Sequence, residues 1–169
     1  MSTDTKLQSW LTGRLPKDWF EGAPEVTLDR EEITIVGRLS APELPEGSSD
    51  ADRAAGVAGR IKGFREDTRD QRITIAREIE HRTGRKVSWG VAIDERRELF
   101  TTMSVPVMTR LKQSERTVLD TLVDSGVAKS RSEALAWCVR LVGKNTDEWL
   151  GKLREAMSDV ATLREQGPA

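Results

Sequence analysis

The sequence is poor in the residues that build covalent or metal-bound frameworks. Its 169 residues include one cysteine, Cys138, and one histidine, His81. A single cysteine excludes an internal disulfide, and one cysteine with one histidine excludes a cysteine–histidine zinc site within one chain. A lone cysteine is also typical of a reducing compartment, so we expect a cytoplasmic protein without a bound metal.

Long apolar runs are also missing. The longest uncharged apolar stretches are far shorter than the roughly 18 residues that cross a bilayer. The first ten residues, MSTDTKLQSW, contain no basic region followed by an apolar run. We therefore expect neither a secretory signal nor a contact with membranes.

Motifs that carry catalysis are absent as well. The sequence has no glycine-rich phosphate loop, nucleophile elbow or HExxH motif. The acid pairs Glu31-Glu32 and Asp94-Glu95 fall in predicted turns, where solvated carboxylates are the usual case. We therefore expect a protein that is not an enzyme, with no catalytic residue and no cofactor.

Charge is balanced overall but unevenly distributed. Lys and Arg total 27 against 28 Asp and Glu, yet residues 1–50 carry a net −5 and residues 51–100 a net +3. Nine bases and five acids lie between positions 60 and 86. This basic stretch predicts either a face that contacts phosphate groups or a helix whose charges pair with one another.

The first 102 residues predict a small α+β module with the element order α-β-β-α-β-β. In chain order we expect a helix at 5–15, a hairpin within 25–39, a linker at 40–50, a helix at 51–83, and strands at 87–91 and 98–102. The long helix should break near Gly59 or Gly63, because about 30 residues exceeds the usual helix length. We expect the helices to cover one face of an antiparallel sheet.

Apolar periodicity changes after position 102. Residues 103–111 alternate, which predicts a strand with Met103, Val105, Val107, Thr109 and Leu111 on one face. Helices follow at 114–125 and from Ser130 to about Val142, the second opened by a Ser130–Glu133 capping box. A final amphipathic helix carries the stripe from Trp149 to Leu163. The predicted division is 1–102, 103–145, and 146–169 for the last helix and tail.

A strand and two short helices cannot bury their own apolar faces. The strand has no partner within its segment, and about 40 residues seldom fold alone. The simplest solution is a homodimer in which two such strands pair antiparallel and four helices close the core.

The segment from Val105 to Val142 resembles the ribbon-helix-helix proteins of the Arc/MetJ/CopG and ParD-antitoxin type. The resemblance rests on three stretches: the alternating strand VPVMTRL, LDTLVDSG ending at Gly126, and SRSEA opening the second helix. It covers about a quarter of the chain. It implies a homodimer that inserts a two-stranded ribbon into the major groove of double-stranded DNA, as a transcriptional regulator does.

Carried over by position, the resemblance also implies individual roles. The base-facing residues are Pro106, Met108 and Arg110, of which arginine can bond guanine O6 and N7 together. Phosphate contacts are expected around the start of the second helix and at two nearby lysines: Lys112, Lys129, Ser130, Arg131 and Ser132. A helix N-terminus suits this role because its first amides are unbonded.

Two other functions stay open from the sequence. The fold could serve only for dimerisation, with a protein partner bound through residues 1–102 or the Trp149–Leu163 helix. Alternatively, the basic stretch at 60–86 could bind RNA or a ribosome. The stretches LPKDWF, RKVSWG and SVPVMTRL also resemble bacterial proteins without a known mechanism, which adds no function.

Overall fold

The computed structural model describes residues 3–166; the side chains of residues 3–5, 158, 161–163 and 165–166 lie outside that description. The start of the predicted 1–102 segment and the end of the predicted 146–169 segment therefore lie outside the described residues. The Leu163 side chain lies outside them as well. The protein is a mixed α+β chain, as predicted. Contacts divide it into two units, Met1–Pro106 (unit 1) and Val107–Ala169 (unit 2).

Unit 1 contains three helices and a four-stranded sheet. The elements are α1 (Thr3–Arg14), β1 (Glu25–Leu28), β2 (Glu32–Arg38), α2 (Asp50–Asp67), α3 (Arg69–Thr83), β3 (Lys86–Ile93) and β4 (Arg96–Leu99). The sheet has the order β1-β2-β3-β4. The predicted hairpin is confirmed, because β1 and β2 pair antiparallel with Val26 opposite Ile35.

The sheet is mixed, so the prediction of a purely antiparallel sheet was wrong. Strands β2 and β3 run parallel, with Ile35 opposite Trp89, and only the outer pairs are antiparallel. The reason is the connection: α2 and α3 carry the chain back across the sheet before β3 starts, which is how parallel neighbours are joined. Alternation within a strand carries no information about this direction.

The break in the long helix also differs from the prediction. It lies at Thr68, between α2 and α3, and α2 runs unbroken through Gly59 and Gly63. The Phe64 carbonyl, in the last turn of α2, accepts from both the Thr68 amide at 3.1 Å and the Thr68 hydroxyl at 2.6 Å.

One face of the sheet packs with the three helices into a single core. The strand residues Ile33, Ile35, Trp89, Val91 and Ile93 lie on the same pleat face and belong to the buried cluster. Their helical partners in that cluster are Leu7, Leu11, Ile61, Phe64, Ile75 and Ile79. Each fully buried aliphatic side chain stabilises the unit by about 1.5–3 kcal/mol relative to exposure.

Two glycines of unit 1 should respond oppositely to alanine. A Cβ at Gly90 would lie 2.8 Å from the Glu98 carbonyl oxygen and 2.6 Å from Leu99 Cδ2, whereas Gly59 in α2 has open space around it. We expect Gly90→Ala to lower the free energy of unfolding by about 1–3 kcal/mol, through overpacking. Gly59→Ala should raise it by about 0.5–1 kcal/mol. Urea denaturation measures both, and changes of the same sign would contradict this packing.

Unit 2 contains three helices, α4 (Gln113–Asp124), α5 (Arg131–Asn145) and α6 (Asp147–Gln166). Among its described side chains only Leu119, Ala128 and Ala134 are buried, with Leu111, Leu122, Val123, Leu135 and Cys138 half-buried against them. The turn after α4 depends on Gly126, whose φ of 77° lies in the left-handed region. No helix within residues 3–166 is long and apolar enough to span a membrane.

Candidate nucleic-acid interface

The predicted ribbon segment is not a strand in the single chain. Residues 101–112 have no regular secondary structure, so the predicted strand at 103–111 is wrong for one isolated copy. The physical reason is that a strand needs a partner, and no segment within residues 3–166 pairs with this one. Val107 and Met108 are 86% and 98% exposed, so the single chain does not distinguish the two predicted faces.

The three predicted base-facing residues lie in this segment and are all exposed: Pro106, Met108 and Arg110. Arg110 has no hydrogen bond or ion pair with any residue that the structure describes. Its guanidinium is therefore available to a ligand. Leu111, at the end of the segment, is held against α4 because Arg116 Nη1 donates to the Leu111 carbonyl at 2.6 Å.

The start of α5 has the cap that the sequence predicts, with one difference. The Ser130 hydroxyl accepts from the Glu133 amide at 3.2 Å, but the Glu133 carboxylate accepts from the Lys129 amide at 2.8 Å rather than from Ser130. The carboxylate half of the capping box therefore bonds the amide one residue before the N-cap instead of the N-cap amide itself. The amides of Arg131 and Ser132 precede the first intrahelical bond of α5 and face no helical carbonyl.

Arg131 has a partner that the sequence prediction did not include. Its Nε and one Nη donate to the Asp120 carboxylate of α4 at 2.6 and 2.7 Å. This bidentate pair joins the two helices and uses two of the five guanidinium N–H donors, so three remain for phosphate. Eleven residues of chain separate the pair, and helical spacing rules therefore gave no signal for it.

The two predicted lysine contacts lie at the starts of these helices. Lys112 precedes α4, and its amide donates to the Glu115 carboxylate at 2.6 Å. Lys129 precedes Ser130, and both lysine side chains are exposed, as are Ser130 and Ser132. Within unit 2 the structure thus brings Lys129, Ser130, Arg131 and Ser132 together at one helix end, while Lys112 begins the neighbouring helix.

Acidification tests the pair between α4 and α5. The hydrogen bond from Arg131, followed by the charges of Arg131 and Arg116, holds the pKa of Asp120 below its usual range. The pair's contribution to stability is therefore complete above the unfolded pKa of about 3.9 and is lost as pH falls through that value toward the folded pKa. We expect Asp120→Asn to lower the melting temperature at pH 7. At pH 3 the same substitution should lower the melting temperature much less.

The control for this comparison is Asp124→Asn, an exposed α4 carboxylate without an ion pair among the described side chains. It should change the melting temperature little at either pH. If Asp120→Asn lowers the melting temperature by the same amount at pH 7 and at pH 3, the carboxylate charge does not stabilise the helix pair.

Fold and site together define an α+β protein of two units. The second unit contains the helices α4, α5 and α6, and an exposed segment without regular structure precedes α4. Two family descriptions match the chain: "Rv1265-like protein, N-terminal domain" over residues 5–99 and "Mb1296 C-terminal domain" over residues 112–164. The chain belongs to this Rv1265-like family. Neither description names a ribbon-helix-helix protein, and residues 100–111 lie between the two matches.

Curated relatives come from mycobacteria. The chain is 61% identical over 159 residues to Mb1296 of Mycobacterium bovis and to Rv1265 and MT1303 of Mycobacterium tuberculosis. The alignment covers 94% of this chain and 69% of each relative. Each relative is named as an uncharacterised protein, so the names assign no activity. The comparison with solved structures found no match.

Proposed function

We propose that the protein is a homodimeric DNA-binding protein of the ribbon-helix-helix type, acting in the cytoplasm as a transcriptional regulator. The observation that carries the proposal is the incomplete core of unit 2. Three buried residues support a helix pair whose other apolar side chains remain in contact with water. A second copy of the chain supplies the missing half of the core.

The exposed apolar residues of unit 2 support this dimer. They lie on the ribbon segment, on α4 and α5, and in the turn between these helices: Val107, Val118, Val127, Val139, Leu141 and Val142 are 43–86% exposed. Burying one such side chain stabilises a protein by about 1.5–3 kcal/mol. Two copies that bury several of them gain enough to offset the entropy of association.

The ribbon segment supports the same arrangement. Residues 103–111 alternate in polarity, lie outside regular structure in one chain, and need a partner strand. In an antiparallel pair formed by two copies, Val105 and Val107 face the shared core, and Met108 and Arg110 face outward. The unpaired Arg110 guanidinium then enters the major groove, where it can bond guanine bidentately.

The start of α5 supplies the backbone contact. Its free amides at Arg131 and Ser132, the positive end of the helix dipole and the exposed Lys129 favour a phosphate group. The segment 103–145 has a net charge of +3, which a dimer doubles. This arrangement fixes the ribbon in the groove without reading sequence.

Salt dependence tests the phosphate contacts. We expect the affinity of the wild type for duplex DNA to fall linearly with salt on logarithmic axes. Lys112→Ala should weaken all duplexes alike and flatten this slope by about 0.9 for each phosphate that the lysine neutralises, twice per dimer. Fluorescence anisotropy at several salt concentrations measures the slope. Lys152→Ala on α6, whose side chain pairs with Glu148, is the matched control and should leave the slope unchanged.

A second candidate function rests on the last helix. Trp149, Leu153, Met157 and Val160 follow one another at helical spacing on α6 and are 43–72% exposed. Such a stripe favours a dimeric adaptor that binds a protein through α6. The same salt titration separates the candidates, because an adaptor shows no affinity for duplex DNA, and single-stranded RNA in a parallel titration tests the RNA alternative.

A further inference from the structure

Unit 1 contains a cluster of arginines around one aromatic ring. The Cζ atoms of Arg72 and Arg65 lie 4.7 and 5.6 Å from the centroid of the Phe100 ring. Both arginines flank the break between α2 and α3, and Phe100 directly follows β4. Phe100 is itself buried, so the ring holds the two guanidinium groups at a fixed place on the unit.

Arg72 is buried without a negative partner. Its side chain bonds neutral oxygens: Nε donates to the Thr68 hydroxyl at 2.9 Å and Nη2 to the Arg65 carbonyl at 2.7 Å. The residue is only 7% exposed. Burial first, and then the charges of Arg65 and Arg69, lower the pKa of Arg72. The fold therefore concentrates positive charge here, although burying an unpaired charge is costly.

The neighbouring acids do not neutralise this charge. The Arg69 Nη1 atom lies 3.8 Å from Asp70 Oδ1, and both side chains are more than 70% exposed. The Glu66 carboxylate is paired with a lysine outside the cluster, since its Oε1 lies 3.9 Å from Lys62 Nζ. Neither Arg65 nor Arg72 forms an ion pair with a carboxylate of the described residues, and Arg65 Nη2 has only a long 3.4 Å contact with the Phe100 carbonyl.

We propose that Arg65, Arg69 and Arg72 form a binding site for a phosphate group. Guanidinium donors bind phosphate oxygens in pairs, and the anion supplies the negative charge that the cluster lacks. Arg72 is held in place by Thr68 and Phe100, whereas Arg69 is exposed and has only a 3.8 Å contact with Asp70 to give up to a ligand. The site goes beyond the proposed function, because it lies in unit 1 and uses none of the residues assigned to the ribbon.

Titration of the whole 169-residue chain with inorganic pyrophosphate tests the site, with chloride at equal ionic strength as the reference. We expect the wild type to bind pyrophosphate, measured by calorimetry, and Arg69→Gln to weaken it by about tenfold, as the loss of one charge-assisted hydrogen bond predicts. Arg69 is exposed and makes no buried contact, so this variant should fold normally, as circular dichroism would verify.

The matched control is Arg53→Gln, an exposed arginine of α2 that lies 12 residues before Arg65, about 18 Å along the helix axis. It should change the dissociation constant less than twofold. A wild type that does not bind pyrophosphate, or an Arg53→Gln variant that is weakened as much as Arg69→Gln, would overturn the proposal.

The phosphate could belong to a small phosphorylated molecule or to a nucleic-acid backbone, and a second measurement distinguishes these sources. A parallel loss of pyrophosphate and duplex DNA binding by Arg69→Gln supports a site for backbone phosphates. Loss of pyrophosphate binding alone supports a site for a small phosphorylated ligand. Because pyrophosphate is measured without DNA, this result does not depend on whether the ribbon reads DNA.

Discussion

The Val107→Asp variant is expected to be monomeric at concentrations where the wild type is dimeric. Val107 is 86% exposed in the single chain but faces the shared core in the proposed dimer. Each dimer would lose two buried valines and gain two buried carboxylates. The loss of valine burial alone costs about 3 kcal/mol or more, which raises the dimer dissociation constant at least ~100-fold. Analytical ultracentrifugation measures the change.

The neighbouring residue provides a matched control. Met108 is 98% exposed in the single chain, so exposure alone predicts similar tolerance of aspartate at both positions. In a paired ribbon, however, Met108 faces outward, and Met108→Asp should leave the dimer intact while repelling DNA phosphates. Two variants with the same oligomeric state would contradict the predicted alternation of the ribbon.

The second large effect is expected for Arg110→Ala in DNA binding. An arginine bonded to guanine O6 and N7 contributes about 1–3 kcal/mol of discrimination against a wrong base at each half-site. We therefore expect the variant to lose about 1–3 kcal/mol per half-site on the preferred duplex and much less on random duplexes. Anisotropy titrations of both duplexes measure the ratio.

The contrast with Lys112→Ala makes this prediction specific. Removing a phosphate contact weakens preferred and random duplexes equally, whereas removing a base contact changes their ratio. Equal affinities of the wild type and Arg110→Ala for the preferred duplex would contradict insertion of this segment into the groove. The dimer could then still form, and the adaptor function through α6 would become the working proposal.

Features determined by neighbouring residues could be predicted from the sequence. The hairpin of β1 and β2 was predictable because apolar alternation flanks a turn in which Asp29 Oδ1 accepts from the Glu31 and Glu32 amides at 2.8 and 2.7 Å. The cap of α5 was predictable for the same reason, since Ser130 and Glu133 are three residues apart.

Features determined by distant residues could not be predicted. The parallel pairing of β2 with β3 brings together strands that are more than 50 residues apart, and their alternation is the same in either direction. The helix break at Thr68 is stabilised by Arg72, which packs on Phe100. The sequence of α2 instead suggested a break near Gly59 or Gly63, where the helix continues and a Cβ would meet open space.

The features of the candidate site also separate into those set by neighbouring residues and those set by distant ones. Exposure of Arg110, Lys129 and Ser132 was predictable from local pattern, whereas the Asp120–Arg131 pair depends on the packing of α4 against α5. The ribbon depends on a second copy of the chain, so its pairing cannot be read from one copy. The basic stretch at 60–86 was predicted either to contact phosphate groups or to pair its own charges. The grouping of Arg65 and Arg72 around Phe100 could not be predicted, because Phe100 lies 28 positions after Arg72.

The most direct test of the central proposal is selection of bound sequences from a random duplex DNA pool by the purified protein. A homodimeric reader predicts enrichment of one motif with two related half-sites, which a two-fold symmetric protein recognises together. Arg110→Ala should lose that enrichment at the guanines of each half-site. The contradicting result is a bound pool in which no sequence motif is enriched, although the wild-type protein is dimeric under the same conditions. That result would exclude sequence-specific binding of DNA by the ribbon.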